Sequence, residues 1–314
     1  MGRGRGRLTG LAAPPLDLTR RRPPSERIVE AALFLAAVLG VITTAGIVLV
    51  LAFETLDFFG DVDPVAFFTG TVWSASIRPQ AWGVLALVSG TILVAGIAIV
   101  IAVPLGLLSA VLLSEYASPR VRTVVKPILE TIAGIPTIVL GFFAINFLAP
   151  QLLIPVLGKQ NIGVFSALSG GIVVGLLVTP LIASISEDSM RSVPRGMREG
   201  AYAMGATRFE VVRKVVLPAA ISGIMASIIL ATSRAIGETM AVLLAVGTKP
   251  QFTLDPTESV QTMTAFIAQI SMGETAQGSV EFKSLFAVAA TLLVMTLALN
   301  LLSAWVVRRF RTVY

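Results

Sequence analysis

Six stretches of this chain, at about 29–53, 84–113, 128–148, 163–185, 215–246 and 285–307, are apolar over lengths suited to a bilayer crossing, which takes about 20 residues of helix. Inside hydrocarbon every backbone N–H and C=O needs an internal partner, so runs of this length are expected as membrane helices. The expected architecture is an all-α integral membrane protein with six spans. Only 13% of the 314 residues are charged and the mean hydropathy is +0.87, far from the balance of a soluble domain. The first run is longer than a signal-peptide core and has no small-residue cleavage site closing it, so it is expected to remain as the first helix.

An even number of spans puts both termini on one side. Arginines 3, 5, 7, 20, 21, 22 and 27 crowd the N-terminal segment, Arg120, Arg122 and Lys126 the second loop, Arg191, Arg195, Arg198, Arg208, Arg213 and Lys214 the fourth, and Arg308, Arg309 and Arg311 the end. Arg78, Lys159, Lys249 and Lys283 stand on the opposite face. Basic residues accumulate on the cytoplasmic side of membrane proteins, so both termini and these two loops are expected there. Spread along juxtamembrane segments, the +6 net charge reads as topology and lipid contact, with no nucleic-acid partner. Residues 1–27 are expected as a disordered basic tail and 28–314 as one six-span membrane domain. Glu54, Asp57, Asp61 and Asp63, and the stretch from Lys249 to Lys283, are the two sizeable outward connections and candidate docking surfaces.

With no Cys and no His, thiolate and imidazole metal sites, Ser-His and Cys-His nucleophiles and histidine relays are all excluded. No phosphate-cradling G-x-x-x-x-G-K-[ST] motif occurs, so ATP-driven work would fall to another chain. Prolines 104, 136, 180 and 218 sit at or within four of the runs; each removes a backbone donor, which a membrane tolerates where neighbouring groups make up the loss. Against this background Arg234 and Glu238 stand out, one helical turn apart in the run 215–246. Intramembrane charges mark a polar pathway or a site by default; the alternative is a structural ion pair between helices. Hydroxyls at Thr232, Ser233 and Thr239 are poor ligand candidates, since such groups usually bond back to a carbonyl one turn earlier. Glu130 is a second membrane-level carboxylate, expected near a helix N-terminus where the dipole favours it.

In the fourth loop, at about 188–214, Glu199-Gly200-Ala201-Tyr202-Ala203-Met204-Gly205, followed by Val215-Val216-Leu217-Pro218, resembles the EAA signature of ABC importer permeases. The small residues would let a short helix lie close to another surface, Gly205 would let the chain turn, and Leu217-Pro218 would redirect it into the bilayer. Gly200 stands where the signature has its second Ala, and Val215 where it has Ile. The resemblance implies a type I ABC importer permease fold with a cytoplasmic coupling helix. It assigns Glu199, Gly200, Ala201, Gly205, Leu217 and Pro218 to coupling with an ATPase subunit. Arg198, Arg208 and Glu210 are further candidates for that contact, or simply keep a cytosolic helix soluble.

Phe67-Phe68-Thr69-Gly70-Thr71-Val72-Trp73, Leu113-Ser114-Glu115-Tyr116-Ala117, Ala133-Gly134-Ile135-Pro136 with Gly141-Phe142-Phe143, and Arg234 to Val242 together resemble the PstC-type permease of phosphate importers. Met240-Ala241-Val242 favours that type over the sister PstA type. The resemblance implies a heterodimer with a PstA-type permease, two copies of a PstB-type ATPase subunit and an external PstS-type phosphate-binding protein, in a bacterial plasma (inner) membrane. It implies alternating access driven by ATP used on the ATPase, and no cofactor bound by this chain. An always-charged guanidinium with a fork of donors suits an oxyanion, which makes Arg234, with Glu238, the expected substrate-pathway pair. A sulfate or molybdate permease stays open as a reading, as does a secondary anion transporter, which would need no EAA loop. An embedded enzyme would need a paired acid and base, and only Glu130 and Glu238 are available.

Overall fold

The computed structural model describes residues 24–75, 79–273 and 275–310; the expected tail lies outside the described residues up to position 23, as do Arg78 and Arg311. The chain forms two units, residues 1–50 and 51–314. In the first, the described residues are helix α1 (Pro24–Asp61) as far as Val50, and its apolar side chains are exposed along their length. The helix already includes residues 24–27 of the expected tail.

In the second unit the end of α1 leads to α2 (Pro64–Thr69), a two-stranded antiparallel hairpin of β1 (Trp73–Ser74) and β2 (Ala81–Trp82), and α3 (Leu85–Val111). Then come α4 (Pro119–Ala133), α5 (Thr137–Phe143), α6 (Ile154–Leu157), α7 (Ala167–Arg191), α8 (Arg195–Ala203) and α9 (Arg208–Val211). The order ends with α10 (Leu217–Gly237), α11 (Met240–Ala245), α12 (Met263–Met272) and α13 (Val280–Phe310). π-helical turns at Leu112–Tyr116, Ala144–Leu153 and Val212–Val216 extend α3, α5 and α9 at their C-terminal ends. Among the described residues six helical segments are long and apolar enough to cross a membrane: Glu26–Asp61, Leu85–Tyr116, Thr137–Leu157, Ala167–Arg191, Arg208–Gly237 and Val280–Trp305.

Three of these differ instructively from the sequence expectation. The first runs as helix through Glu54, Asp57 and Asp61, so the supposed acidic loop is mostly a helix end; Lys283 reaches Asp57 at 2.8 Å and Asp61 at 3.0 Å, and Asp63 caps α2. The third begins at Thr137, because Gly134-Ile135-Pro136 interrupts the chain and leaves α4 as a separate helix. Glu130 therefore sits near the C-terminal end of an exposed helix, where the dipole does not favour it. The fifth begins at Arg208 and is continuous through Pro218. The π-turn Val212–Val216 lies just before that proline, and helix continues on both sides of it. It then ends at Gly237, well short of the expected Val246.

The core is the seam between α3 and α7, the most extensive helix contact in this unit. Ala95, Ala98 and Ala102 meet Val174, Val178 and Ile182 there. Small residues let the backbones approach without any hydrophobic drive between helices in lipid. A Cβ on Gly175 would lie 2.9 Å from the Ala98 carbonyl oxygen, and one on Gly171 2.6 Å from Ile97 Cβ. A second cluster packs Phe58, Phe67, Trp73 and Phe266 edge to face beneath the hairpin. A third gathers Ala110, Met190, Val193, Val211 and Val216 at the opposite end, under α8.

Candidate functional site

The run containing Arg234 and Glu238 folds as two helices. At Gly237 α10 stops; Glu238 takes extended backbone angles (φ −66°, ψ 130°), and α11 starts at Met240. The carbonyl of Glu238, which a continuing helix would have used, accepts the Thr264 hydroxyl at 2.8 Å, so a buried side chain of α12 satisfies the break. The Glu238 carboxylate accepts the Ala241 amide at 3.4 Å and closes the first turn of α11. Its side chain thus serves a helix start, and the structural Arg234–Glu238 ion pair, the alternative to a pathway role, does not form.

Arg234, in the last turn of α10, is exposed, and its guanidinium makes no ion pair or hydrogen bond with any described residue. The neighbouring hydroxyls are occupied: Thr232 donates to the Ile228 carbonyl one turn earlier, as expected, Thr239 to the Gly237 carbonyl, and Ser233 to Asn300 Oδ1 on α13 at 2.6 Å. A fixed positive charge is left at the end of a broken span with nothing among the described residues to neutralise it.

The second candidate region lies between α7 and α10. There the chain makes a short amphipathic helix, α8, then turns at Gly205 with φ +84°, a conformation other residues adopt at a cost. Thr207 and Glu210 form a reciprocal capping box that starts α9. Ala201 and Leu217 are half-buried against the third cluster, whereas Glu199, Gly200, Gly205 and Pro218 are exposed. A Cβ on Gly200 or Gly205 would meet nothing within 4 Å; their smallness serves no contact with the described residues. Tyr202, Met204 and Phe209 add apolar surface to the same exposed face.

Arg198 points inward. It donates to the Val193 carbonyl at 2.6 Å, the Met190 carbonyl at 2.7 Å and Glu115 Oε1 at 3.1 Å. A cation on carbonyls at the C-terminal end of α7 and just beyond it complements the helix dipole.

One cluster has no counterpart in the sequence reading. Glu187, in the last turns of α7, has a side chain with no exposure at all, and Arg122 (2.7 Å), Lys126 (2.8 Å) and Arg191 (3.7 Å) surround it; Lys126 also reaches Asp188 at 2.6 Å. Burial pulls the Lys126 ammonium toward the neutral form, but the bonds to Asp188 and Glu187 prevail and hold its pKa above the ordinary lysine value. None of the residues of α4 is fully buried, so these ion pairs are its principal polar tie to α7. The available signal was the spacing of Arg122 and Lys126, one turn apart on one face of an amphipathic helix. Among the described residues no cluster of carboxylates could hold a metal ion.

The family described as "Binding-protein-dependent transport system inner membrane component" matches residues 102–312. The chain is 36% identical over 241 residues to a probable ABC transporter permease protein, YqgH, of Bacillus subtilis, covering 77% of each. It is 30% identical over 309 residues to the phosphate transport system permease protein PstC of Mesorhizobium japonicum, covering 92% of each. Among solved structures, an alginate ABC transporter chain superposes with a TM-score of 0.65 at 15% identity, over 91% of this chain and 95% of that one. The MetNI methionine ABC transporter gives a TM-score of 0.55 at 21% identity, over 75% and 100%. At such identities the structural likeness establishes the fold, that of type I ABC importer permeases.

Proposed function

This chain belongs to the binding-protein-dependent transport system inner membrane components, and we propose that it is the permease subunit forming half of the translocation path of an ATP-driven importer of inorganic phosphate. The observation that carries the reading is Arg234. An unpaired guanidinium at a break in a membrane span is costly to keep, and an oxyanion passing between two subunits is the partner that its donor geometry fits. Relatives named as phosphate permeases over most of the chain support the same substrate.

In this reading the other half of the path is a PstA-type permease, relatives of which this chain also resembles. An external phosphate-binding protein delivers the ion, and two copies of a separate ATPase subunit hydrolyse ATP on the cytoplasmic side, where both termini lie. The chain itself binds no cofactor and catalyses no reaction. The exposed face of α8 around Glu199, Gly200 and Gly205 docks into the ATPase, and its displacement opens the path alternately to the two sides of a bacterial plasma membrane. Glu238 contributes by holding the start of α11, and so the direction in which Arg234 leaves α10.

The substrate is tested by uptake of labelled phosphate into vesicles carrying the whole complex, with excess unlabelled phosphate, sulfate or molybdate. Competition by phosphate alone is expected; equal competition by sulfate or molybdate would contradict the phosphate assignment. Uptake that persists without ATP on an ion gradient would overturn the ATP-driven mechanism.

A further inference from the structure

We infer that the π-turn Leu112–Tyr116 at the end of α3 is where movement of the coupling loop enters the membrane helices, with Glu115 and Tyr116 as the positioning residues that receive it. This rests on the coupling role proposed above for the loop. Two separate contacts converge on these adjacent residues. From α8, Arg198 reaches Glu115 Oε1 at 3.1 Å while the same guanidinium holds the Met190 and Val193 carbonyls. From α9, the Arg208 guanidinium carbon stands 5.4 Å from the centre of the Tyr116 ring, within the range of a cation–π attraction. The two arginines flank the Gly205 turn, so each arm of the loop ends on α3.

The receiving side is built to be firm. Side-chain exposure is 7% for Glu115 and 15% for Arg198, which strengthens the pair relative to one in water. Ser114 Oγ donates to the same carboxylate oxygen at 2.8 Å. Beyond the turn, α3 is locked to α7 along a seam where Gly171 and Gly175 leave no room for a Cβ, so a displacement delivered to α3 moves both helices. The turn itself closes with a bond from the Ala117 amide to the Leu112 carbonyl at 2.7 Å, one residue wider than an α-helical turn. Such segments concentrate at functional sites. The stretch Leu113-Ser114-Glu115-Tyr116-Ala117 thereby acquires a task.

The test uses the whole complex in vesicles and reads ATP hydrolysed per phosphate imported, with thermal unfolding measured alongside. Glu115→Gln and Tyr116→Leu are expected to raise that ratio by about two- to thirty-fold, and Tyr116→Phe, which keeps the ring, to leave it unchanged. Gly205→Phe serves as the reference. If it raises the ratio and the first two variants do not, the inference fails while the coupling role stands. If Gly205→Phe leaves the ratio unchanged, the coupling role fails first. Because the chain has no cysteine, Glu115→Cys with Arg198→Cys can be joined by a short thiol cross-linker; the linked complex should recover the parental ratio, and a linked complex that stays uncoupled would overturn rigid transmission through this turn.

Discussion

The end of the unit built by α4, α7 and α8 and the break in α10 treat charge in opposite ways. Around α4, α7 and α8, Glu187, Arg122, Lys126, Arg198 and Glu115 satisfy one another within the chain. At the break, Arg234 is satisfied by nothing among the described residues, and Glu238, the acid best placed to serve it, caps α11 instead. The first arrangement holds helices together. The second leaves a charge with no partner among the described residues, as the proposed role of Arg234 in the path of an ion requires.

The largest effect expected from breaking the contrast lies in the structural cluster. Glu187→Ala leaves Arg122 and Lys126 facing a buried void and should cost about 3 kcal/mol, the lower end for a buried pair because both cations keep partial contact with water. A clear fall in unfolding temperature in detergent checks this; unchanged stability would mean that the cluster holds nothing. Thr264→Val removes the hydroxyl that serves the Glu238 carbonyl, leaving a buried acceptor unpaired at about 1–2 kcal/mol. The same melt reads that loss, and phosphate uptake should fall with it as the direction of Arg234 relaxes. Smallest is the response to pH. Since the folded pKa of Lys126 lies above its ordinary value of 10.5, the stability it contributes is complete below that value and is lost as pH rises through the folded one. A melting series into the alkaline range should show a decline that Lys126→Met lacks.

These regions were unequally legible in the sequence. The spans could be read because length and apolarity are local properties, and the coupling loop because Gly205 and the Glu199–Pro218 spacing are local too. The third span was placed too early because Ile128, Leu129 and Ile132 are apolar, although they form one stripe of an amphipathic helix that Gly134 and Pro136 terminate. The break at Glu238 was hidden because Gly237-Glu238-Thr239 lies between apolar residues and depends on a hydroxyl from Thr264, on another helix. Glu187 was missed for the same reason: Arg122 and Lys126 come to it from α4, far away along the chain.

Arg234→Lys, measured for both stability and uptake in one preparation, tests the central claim most directly. The substitution keeps the charge and removes the fork of donors. An unfolding temperature and assembly with the partner permease close to those of the parent, together with a sharp loss of phosphate uptake, is the expected result. Normal uptake, or a loss of uptake that merely follows a loss of stability, would contradict the assignment of Arg234 to the path of the ion.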